Sequence, residues 1–226
     1  MNLVTRKIIS SFSGLFVCAI LFLLVAGCNV NQTIRVAYGS SISDSLRTVN
    51  GSVLVGSGCE VRGECKTVNG SVHVGDQSTV QSLGTVNGSV KVGHDVKING
   101  SLKTINGSIE CASGCEVKSE ISTINGSIKL DGTKVAKDVS TINGGILLDN
   151  GSRVEGDLVI GHNRGNSNPS NVYKVVIKNG SVLVGNVIVK DKERKVEVHL
   201  DATSRIDGEI QGAELIREPE VEKVLL

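Results

Sequence analysis

The stretch Thr104-Ile105-Asn106-Gly107-Ser108-Ile109 contains the tetrapeptide Thr-(Val/Ile)-Asn-Gly, which decides the fold of this chain. The tetrapeptide occurs six times, and its threonines are 19, 18, 19, 19 and 18 residues apart. The copies begin at Thr48, Thr67, Thr85, Thr104, Thr123 and Thr141. A fixed short period is typical of a solenoid, in which each repeat forms one turn and buries its apolar side against the next turn.

A finer period of six residues lies within the third copy. The segments 86–90, 92–96 and 98–102 each begin and end with Val, Ile or Leu and follow one another every six residues. Three such steps make one turn, which predicts a triangle with three short strands and three corners. The sequence therefore predicts an all-β, single-stranded parallel β-helix with 18–19 residues per turn. Local alternation predicts that Val49, Val53, Val55 and Val61 point inward.

Asn-Gly is also the strongest two-residue hairpin signal, so a row of hairpins is the competing fold. The flanking Thr-Val and Ser-Val segments are too short for independent hairpins, and hairpins do not explain the constant period. In the coil, Asn-Gly is predicted at a corner, where Gly accepts positive φ and Asn tolerates the left-handed region. Equivalent asparagines are predicted to form a hydrogen-bonded ladder that consists of Asn50, Asn69, Asn87, Asn106, Asn125 and Asn143.

Residues 1–27 are predicted to be a lipoprotein signal peptide, because Arg6-Lys7 precedes a mostly apolar run. Its end, Leu24-Val25-Ala26-Gly27-Cys28, resembles a bacterial lipobox. The resemblance implies cleavage before Cys28 and lipidation of Cys28, and several acyl chains give a stable membrane anchor. An uncleaved transmembrane helix is the alternative. Asn29 after the cysteine resembles the sorting pattern of enterobacterial lipoproteins, which for a Gram-negative source implies the outer membrane, at its periplasmic face or the cell surface.

Four cysteines remain outside this leader, namely Cys59, Cys65, Cys111 and Cys115. An even number in an oxidising compartment predicts disulfides, and four cysteines allow three pairings. Cys59 and Cys115 share a repeat position but are three turns apart, about 14 Å, which is too far for a disulfide. We therefore expect two local disulfides, Cys59–Cys65 and Cys111–Cys115. The second spacing also suits a metal, but no further Cys or His lies nearby, so no metal site is predicted.

Composition agrees with a thin core. The chain has 27 glycines, no Trp and only 2% aromatic residues, so Val, Ile and Leu must fill the interior. The formal net charge is +1 and no basic stripe is present, which argues against nucleic acid as a partner. The predicted organisation is signal peptide 1–27, lipidated lead-in or cap 28–45, regular repeats 46–161, loop 162–171, further turns 172–212, and C-terminal cap or tail 213–226.

No catalytic motif is evident, and no catalytic residue or cofactor is predicted. Polysaccharide-acting enzymes occur among parallel β-helices, but they generally carry long loops over a cleft. Here the only candidate grouping is Asp157, His162 and Arg164 beside the single sizeable loop. Lys190–Lys195 is predicted to be a solvated charged turn.

The motif Thr-Val-Asn-Gly-Ser-Val resembles a bacterial repeat family described as adhesins, whose members are expected to be β-solenoids. The six-residue period and the segment Val154–Ile160 also resemble bactofilins. Those are polymer-forming cytoskeletal proteins with a triangular right-handed β-helix that polymerises end to end. Together the resemblances cover about residues 46–212. A lipobox departs from the bactofilin pattern, and neither family supplies a catalytic motif.

These observations predict a non-enzymatic, lipid-anchored β-solenoid of the bacterial cell envelope that acts as a structural or adhesin-like scaffold. The expected partners are the membrane through the anchor, and a second copy end to end or an envelope polysaccharide or protein. A self-polymerising filament protein is the alternative. A β-helix enzyme acting on polysaccharide is the third hypothesis.

Overall fold

The computed structural model of the protein describes residues 31–162 and 172–217. Within those residues the chain forms 28 short strands and no helix. The strands belong to three parallel sheets, and the chain visits each sheet once per turn. The first sheet has ten strands and the other two have nine each, which makes about nine turns. The predicted all-β parallel solenoid is confirmed.

The three sheets form the three walls of the coil. The first wall contains β1 (Ile34–Val36), β4 (Val53–Val55), β7 (Val72–Val74), β10 (Val90–Val92), β13 (Ile109–Cys111), β16 (Ile128–Asp131), β19 (Ile146–Asp149), β22 (Tyr173–Ile177), β25 (Val196–Leu200) and β28 (Glu214–Arg217). The second wall contains β2 (Ser41–Ile42), β5 (Glu60–Val61), β8 (Thr79–Val80), β11 (Lys97–Ile98), β14 (Glu116–Val117), β17 (Lys134–Val135), β20 (Arg153–Val154), β23 (Val182–Leu183) and β26 (Arg205–Ile206). The third wall contains β3 (Leu46–Arg47), β6 (Cys65–Asn69), β9 (Leu83–Asn87), β12 (Leu102–Asn106), β15 (Ile121–Ser122), β18 (Val139–Thr141), β21 (Leu158–Ile160), β24 (Val187–Val189) and β27 (Ile210–Gln211).

Equivalent positions of successive turns pair directly. Val90, for example, lies opposite Val72 on one side and Ile109 on the other. The interior is therefore a set of stacked columns of Val, Ile and Leu, and most of these side chains are fully buried. At about 4.8 Å per turn, nine turns give a rod roughly 43 Å long.

The threonine of the repeat motif points into the core. Val53, Val55 and Val61 are buried as predicted, but the prediction for Val49 is wrong. Val49 faces outward and is half-buried, whereas its neighbour Thr48 is fully buried. Alternation holds within a strand and changes phase at a corner, so Val49 and Val53 face opposite ways.

Each buried threonine hydroxyl donates a hydrogen bond to a backbone carbonyl of the preceding turn. The hydroxyl of Thr104 donates to the carbonyl oxygen of Gly88 at 3.0 Å, and that of Thr123 donates to Gly107 at 3.0 Å. The same bond recurs at all six threonines, beginning with Thr48 to Gln32. These bonds offset the cost of burying a hydroxyl and tie each turn to the one before it.

The glycine of the motif is needed for close approach rather than for positive φ. None of the six motif glycines or asparagines has positive φ, so the predicted left-handed corner is wrong at this position. A Cβ on Gly107 would lie 2.5 Å from the carbonyl carbon of Gly88 and closer still to its oxygen. Left-handed residues instead lie at the corner between the first and second walls, at positions such as Gly58, Asp95 and Asn150.

The coil extends beyond the predicted repeats at both ends. The lead-in forms a complete first turn, because β1, β2 and β3 each pair in register with the next turn. At the other end β28 pairs with β25, so the coil continues to Arg217, past the predicted boundary at 212. The signal peptide, Cys28, Arg164 and residues 218–226 lie outside the described residues.

All four described cysteines are free and buried, so the expected disulfides Cys59–Cys65 and Cys111–Cys115 are absent from the structure. The reason is that the members of each pair occupy different columns. Cys65 lies on the third wall between Leu46 and Leu83, and Cys111 lies on the first wall. Burial raises the pKa of the Cys111 thiol, and burial together with the Glu64 charge raises the pKa of Cys65 to about 12.

Cys59 and Cys115 replace hydroxyl residues in one corner column. The thiol of Cys115 donates to the carbonyl oxygen of Gly93 at 2.9 Å, and that of Cys59 donates to Ala37 at 3.1 Å. Ser78 and Ser152 occupy the same column and make the equivalent bond through their hydroxyls, at 3.1 and 3.0 Å. A thiol that donates to a backbone carbonyl therefore fills a place usually taken by serine or threonine.

We predict that Cys115→Ser changes the free energy of unfolding by less than about 0.5 kcal/mol, since the hydroxyl keeps the same acceptor. Cys65→Ser places a hydroxyl in an apolar column, and we expect a loss of about 1–3 kcal/mol. Urea unfolding of the two variants and the native protein measures both values. Equal losses in the two variants would contradict the distinction between the two columns.

Candidate functional site: the asparagine ladder and its flanking strip

The six predicted asparagines form a continuous ladder along the corner between the third and first walls. The side-chain amide of Asn106 donates to the Oδ1 atom of Asn87 at 2.8 Å, and Asn125 donates to Asn106 at 2.7 Å. The other bonds of the ladder measure 2.7–2.9 Å. The predicted ladder is confirmed, and Asn31 adds one more member because it accepts from Asn50 at 2.7 Å.

The ladder leaves hydrogen-bonding capacity directed at solvent. An asparagine amide has two N–H donors and an oxygen with two lone pairs, and the ladder uses one donor and one lone pair per residue. The asparagines from Asn50 to Asn125 are exposed. One N–H and one lone pair are therefore available on each turn, repeated about every 4.8 Å along the rod.

An aliphatic strip runs beside the ladder on the outer face of the third wall. Its members are half-buried, β-branched and one per turn: Val49, Val68, Val86, Ile105, Ile124 and Ile142. Aliphatic side chains line its whole length, and the asparagine amides border it on one side. We call this surface, comprising the six aliphatic residues and the six asparagines of the motif, the amide–aliphatic strip.

Ion pairs border the other side of the strip. Lys103 lies 2.6 Å from Glu120, and Glu64 lies between Lys66 and Arg47 at 2.8 and 2.9 Å. Burial raises the pKa of Glu120, but hydrogen bonds from Lys103 and Ser119 outweigh it and lower the pKa to about 2. A lowered pKa contributes stability above the ordinary pKa of the carboxyl group that is lost as pH falls toward 2. Glu120 therefore remains ionised at neutral pH and neutralises its lysine.

A buried arginine ends the ladder. Arg194 donates to the Oδ1 atom of Asn143 at 2.7 Å and to the backbone carbonyl of Ile142. Its guanidinium lies 4.2 Å from the centre of the Tyr173 ring and 3.4 Å from the carboxylate of Asp191. The Arg194 and Asp191 side chains are only 1% and 2% exposed. The predicted solvated turn at Lys190–Lys195 is therefore wrong for these two residues, which clamp the turn onto the ladder.

Of the predicted catalytic grouping, Arg164 lies outside the described residues, and the structure gives Asp157 and His162 different partners. The Asp157 carboxylate accepts two bonds from Asn186, at 2.8 Å from the backbone and 3.0 Å from the side chain, in another corner column. His162 lies 3.4 Å from Asp191 instead. The bonds to Asn186 give Asp157 a structural role at this corner of the coil.

A shallow depression of about 500 Å³ crosses the outer face of the first wall. His73, Lys91, Glu110 and Lys129 line it, and Lys91 pairs with Glu110 at 3.6 Å. These side chains are exposed and come from consecutive turns. The depression is the space between neighbouring side chains on a flat wall, without an enclosing loop among the described residues.

The part of the chain that the structure describes contains no group of three or more His, Cys, Asp or Glu residues arranged to hold a metal ion. Within the same residues, no helix reaches the length and hydropathy of a bilayer span. Comparisons with models of protein families, with curated proteins and with solved structures found no match. The proposed role of the protein therefore rests on the geometry of its walls and corners.

We predict that Asn106→Asp lowers the free energy of unfolding by about 1–2 kcal/mol at neutral pH, because the carboxylate cannot donate to Asn87 and places an oxygen against its oxygen. Protonation at acid pH returns a donor and should recover part of the loss. Asn99→Asp, outside the ladder, is the control and should change little. Urea unfolding at both pH values measures the effect; equal losses in the two variants would contradict it.

Proposed function

We propose that the protein is a non-enzymatic, lipid-anchored rod of the bacterial cell envelope that acts as an adhesin-like scaffold. The observation that carries this proposal is the amide–aliphatic strip, which keeps one composition over six turns while the inward polar groups are bonded from turn to turn. Such a rod is stiff because every turn is fixed to both neighbours. The lipobox-like Leu24–Cys28 segment supplies the anchor.

The strip suits an extended, uncharged chain with hydroxyl groups, and envelope polysaccharide is the proposed partner. The free amide donors and acceptors match hydroxyl groups, and the aliphatic residues match the C–H faces of sugar rings. The ion pairs beside the strip are internally neutralised, so the surface does not select for a strongly charged partner.

The anchor is tested separately from the strip. Cells that express the full chain or the Cys28→Ser variant are grown with labelled palmitate and fractionated. We expect label and membrane association in the native protein and the loss of label in the variant. Equal labelling of both proteins, or label in neither, would refute a lipid anchor at Cys28.

The strip is tested by charge substitution. Full-length protein in detergent is mixed with purified cell-wall polysaccharide and pelleted. The Ile105→Lys, Ile124→Lys double variant should lose at least about tenfold in binding, because two desolvated cations would be needed in the interface. Gln81→Lys, Ala136→Lys adds the same charge at exposed positions by the second wall and is the control. If the polysaccharide does not bind the native protein, or if the native protein, the strip variant and the control variant bind it equally, this role is wrong.

A self-assembling filament is the second candidate, and the ends of the coil favour it. At the C-terminal end the core side chain of Leu215 is 39% exposed, and Ile206 and Ile210 are half-buried. Terminal strands of a coil offer unpaired backbone groups to another copy. Sedimentation of the detergent-solubilised protein over a range of concentrations distinguishes a self-assembling filament from a single rod. Filaments that lengthen with concentration support assembly, and a constant short rod excludes it.

A further inference from the structure

Nine Asn-Gly pairs occur in the chain, and Asn99-Gly100 differs from the other eight. Asn-Gly is the dipeptide most prone to spontaneous loss of the side-chain amide, because glycine leaves its backbone nitrogen accessible to the neighbouring side chain. In eight pairs the asparagine amide donates to an Asn or Asp oxygen of another turn at 2.7–2.9 Å. The Asn99 side chain has no hydrogen-bond partner within residues 31–162 and 172–217.

We propose that Asn99 is a site of spontaneous deamidation in the folded protein, and that the ladder protects its own asparagines from the same reaction. The backbone nitrogen of Gly100 loses its proton to hydroxide and bonds to the side-chain carbonyl carbon of Asn99. The carbon–nitrogen bond of the amide breaks, and the amide group leaves as ammonia after taking a proton from water. Water then opens the resulting five-membered imide and leaves an aspartate or an iso-linked aspartate.

The expected difference in reactivity between Asn99 and Asn106 comes from the asparagine side chain and not from the attacking backbone nitrogen. The backbone N–H of Gly100 donates to the backbone carbonyl of Gln81 at 2.8 Å. The backbone N–H of Gly107, which follows the ladder residue Asn106, donates to the backbone carbonyl of Asn125 at 3.0 Å. Both nitrogens are thus equally engaged, and both Asn99 and Asn106 are exposed to water. Asn106 must in addition break two side-chain bonds before its carbonyl carbon can turn toward glycine. Each bond reduces the reactive population roughly fivefold, which together makes roughly 25-fold.

The surroundings of Asn99 also accept the product. Ile98 pairs with Val117, so the residues that follow them, Asn99 and Lys118, occupy neighbouring turns of the same corner. A new carboxylate at position 99 would therefore lie beside a cation. In the ladder the same change would remove a donor and bring two oxygens together, as argued for Asn106. Deamidation at position 99 can accumulate without opening the coil.

The test is peptide mapping of full-length protein incubated at mildly alkaline pH in water enriched in heavy oxygen, which labels only newly opened imides. We expect Asn99 to react roughly 25 times faster than Asn87 or Asn106 in the folded protein. In concentrated urea the three sites should react at similar rates, since the ladder is gone. Asn99→Gln should remove the main product, and Asn125→Ala, which takes away one partner of Asn106, should accelerate reaction at Asn106. Equal rates at Asn99 and Asn106 in the folded state would overturn the proposal.

Discussion

Gly107→Ala should be among the most damaging single substitutions in this chain, with an expected loss of about 3 kcal/mol or more in the free energy of unfolding. The added Cβ would lie 2.5 Å from the carbonyl carbon of Gly88, and closer still to its oxygen, where the two turns are at their tightest. Neither backbone can withdraw, because Gly107 N–H donates to Asn125 and Thr104 bonds to Gly88. Thermal unfolding should show a fall in Tm of about 6–12 °C.

Gly84→Ala is the matched control. Gly84 is buried in a strand of the third wall, whereas Gly107 is half-buried at a corner. A Cβ on Gly84 would meet its nearest atoms at 3.6 Å, an ordinary contact, and one of these belongs to the flexible Lys66 side chain. Its φ is not positive, so alanine is not strained there. We expect Gly84→Ala to keep the native Tm within a few degrees or to raise it, because alanine loses less backbone entropy than glycine on folding. Equal falls in the two variants would show that loss of glycine itself, and not the clash, is responsible.

Arg194→Ala should cost about 3–5 kcal/mol, the range for removing one partner of a buried charge pair. The substitution takes the guanidinium from the buried carboxylate of Asp191, from the face of the Tyr173 ring and from the last oxygen of the ladder. The double variant Arg194→Ala, Asp191→Asn should recover part of the loss, because the buried negative charge is removed as well. Chemical unfolding of the single and double variants measures this coupling.

Arg205→Ala is the control for loss of an arginine ion pair. Arg205 pairs with Asp207 at 2.9 Å, but the two side chains are 62% and 42% exposed. Exposed pairs contribute between 0 and about 1 kcal/mol. If Arg194→Ala were no more harmful than Arg205→Ala, the proposed clamp at the end of the ladder would be wrong.

The fold could be predicted from the sequence because its repeat is almost unbroken. The 18–19-residue period fixes the coil, and the stacking of equivalent residues makes an asparagine ladder a direct consequence. The direction of Val49 could not be read from the pattern, because alternation changes phase at the intervening corner. The true inward residue, Thr48, is polar, and its burial depends on a carbonyl in another turn.

The cysteines and Arg194 mark the limit of sequence reasoning. Counting and spacing predicted disulfides, but Cys115 serves as a buried donor in a corner column that holds mostly serine and threonine, with Val96 as an apolar member. This role becomes evident only once the turns are aligned. Arg194 lies in Lys190–Lys195, a run of six charged residues, and such a run is typical of a solvated turn. Its burial depends on the position of Asn143, 51 residues earlier in the chain.

The buried arginine also gives the rod an electrical direction. Arginine carries donors and no acceptor, so Asn143 must turn its oxygen toward Arg194 and its nitrogen toward Asn125. Each amide fixes the orientation of the next one in the ladder as far as Asn31, so every amide dipole in the column points the same way. As with the aligned peptides of a helix, the sum is a partial negative charge at one end, and the cation of Arg194 lies there. The two ends of the column are electrically opposite, and a single side chain determines which is which.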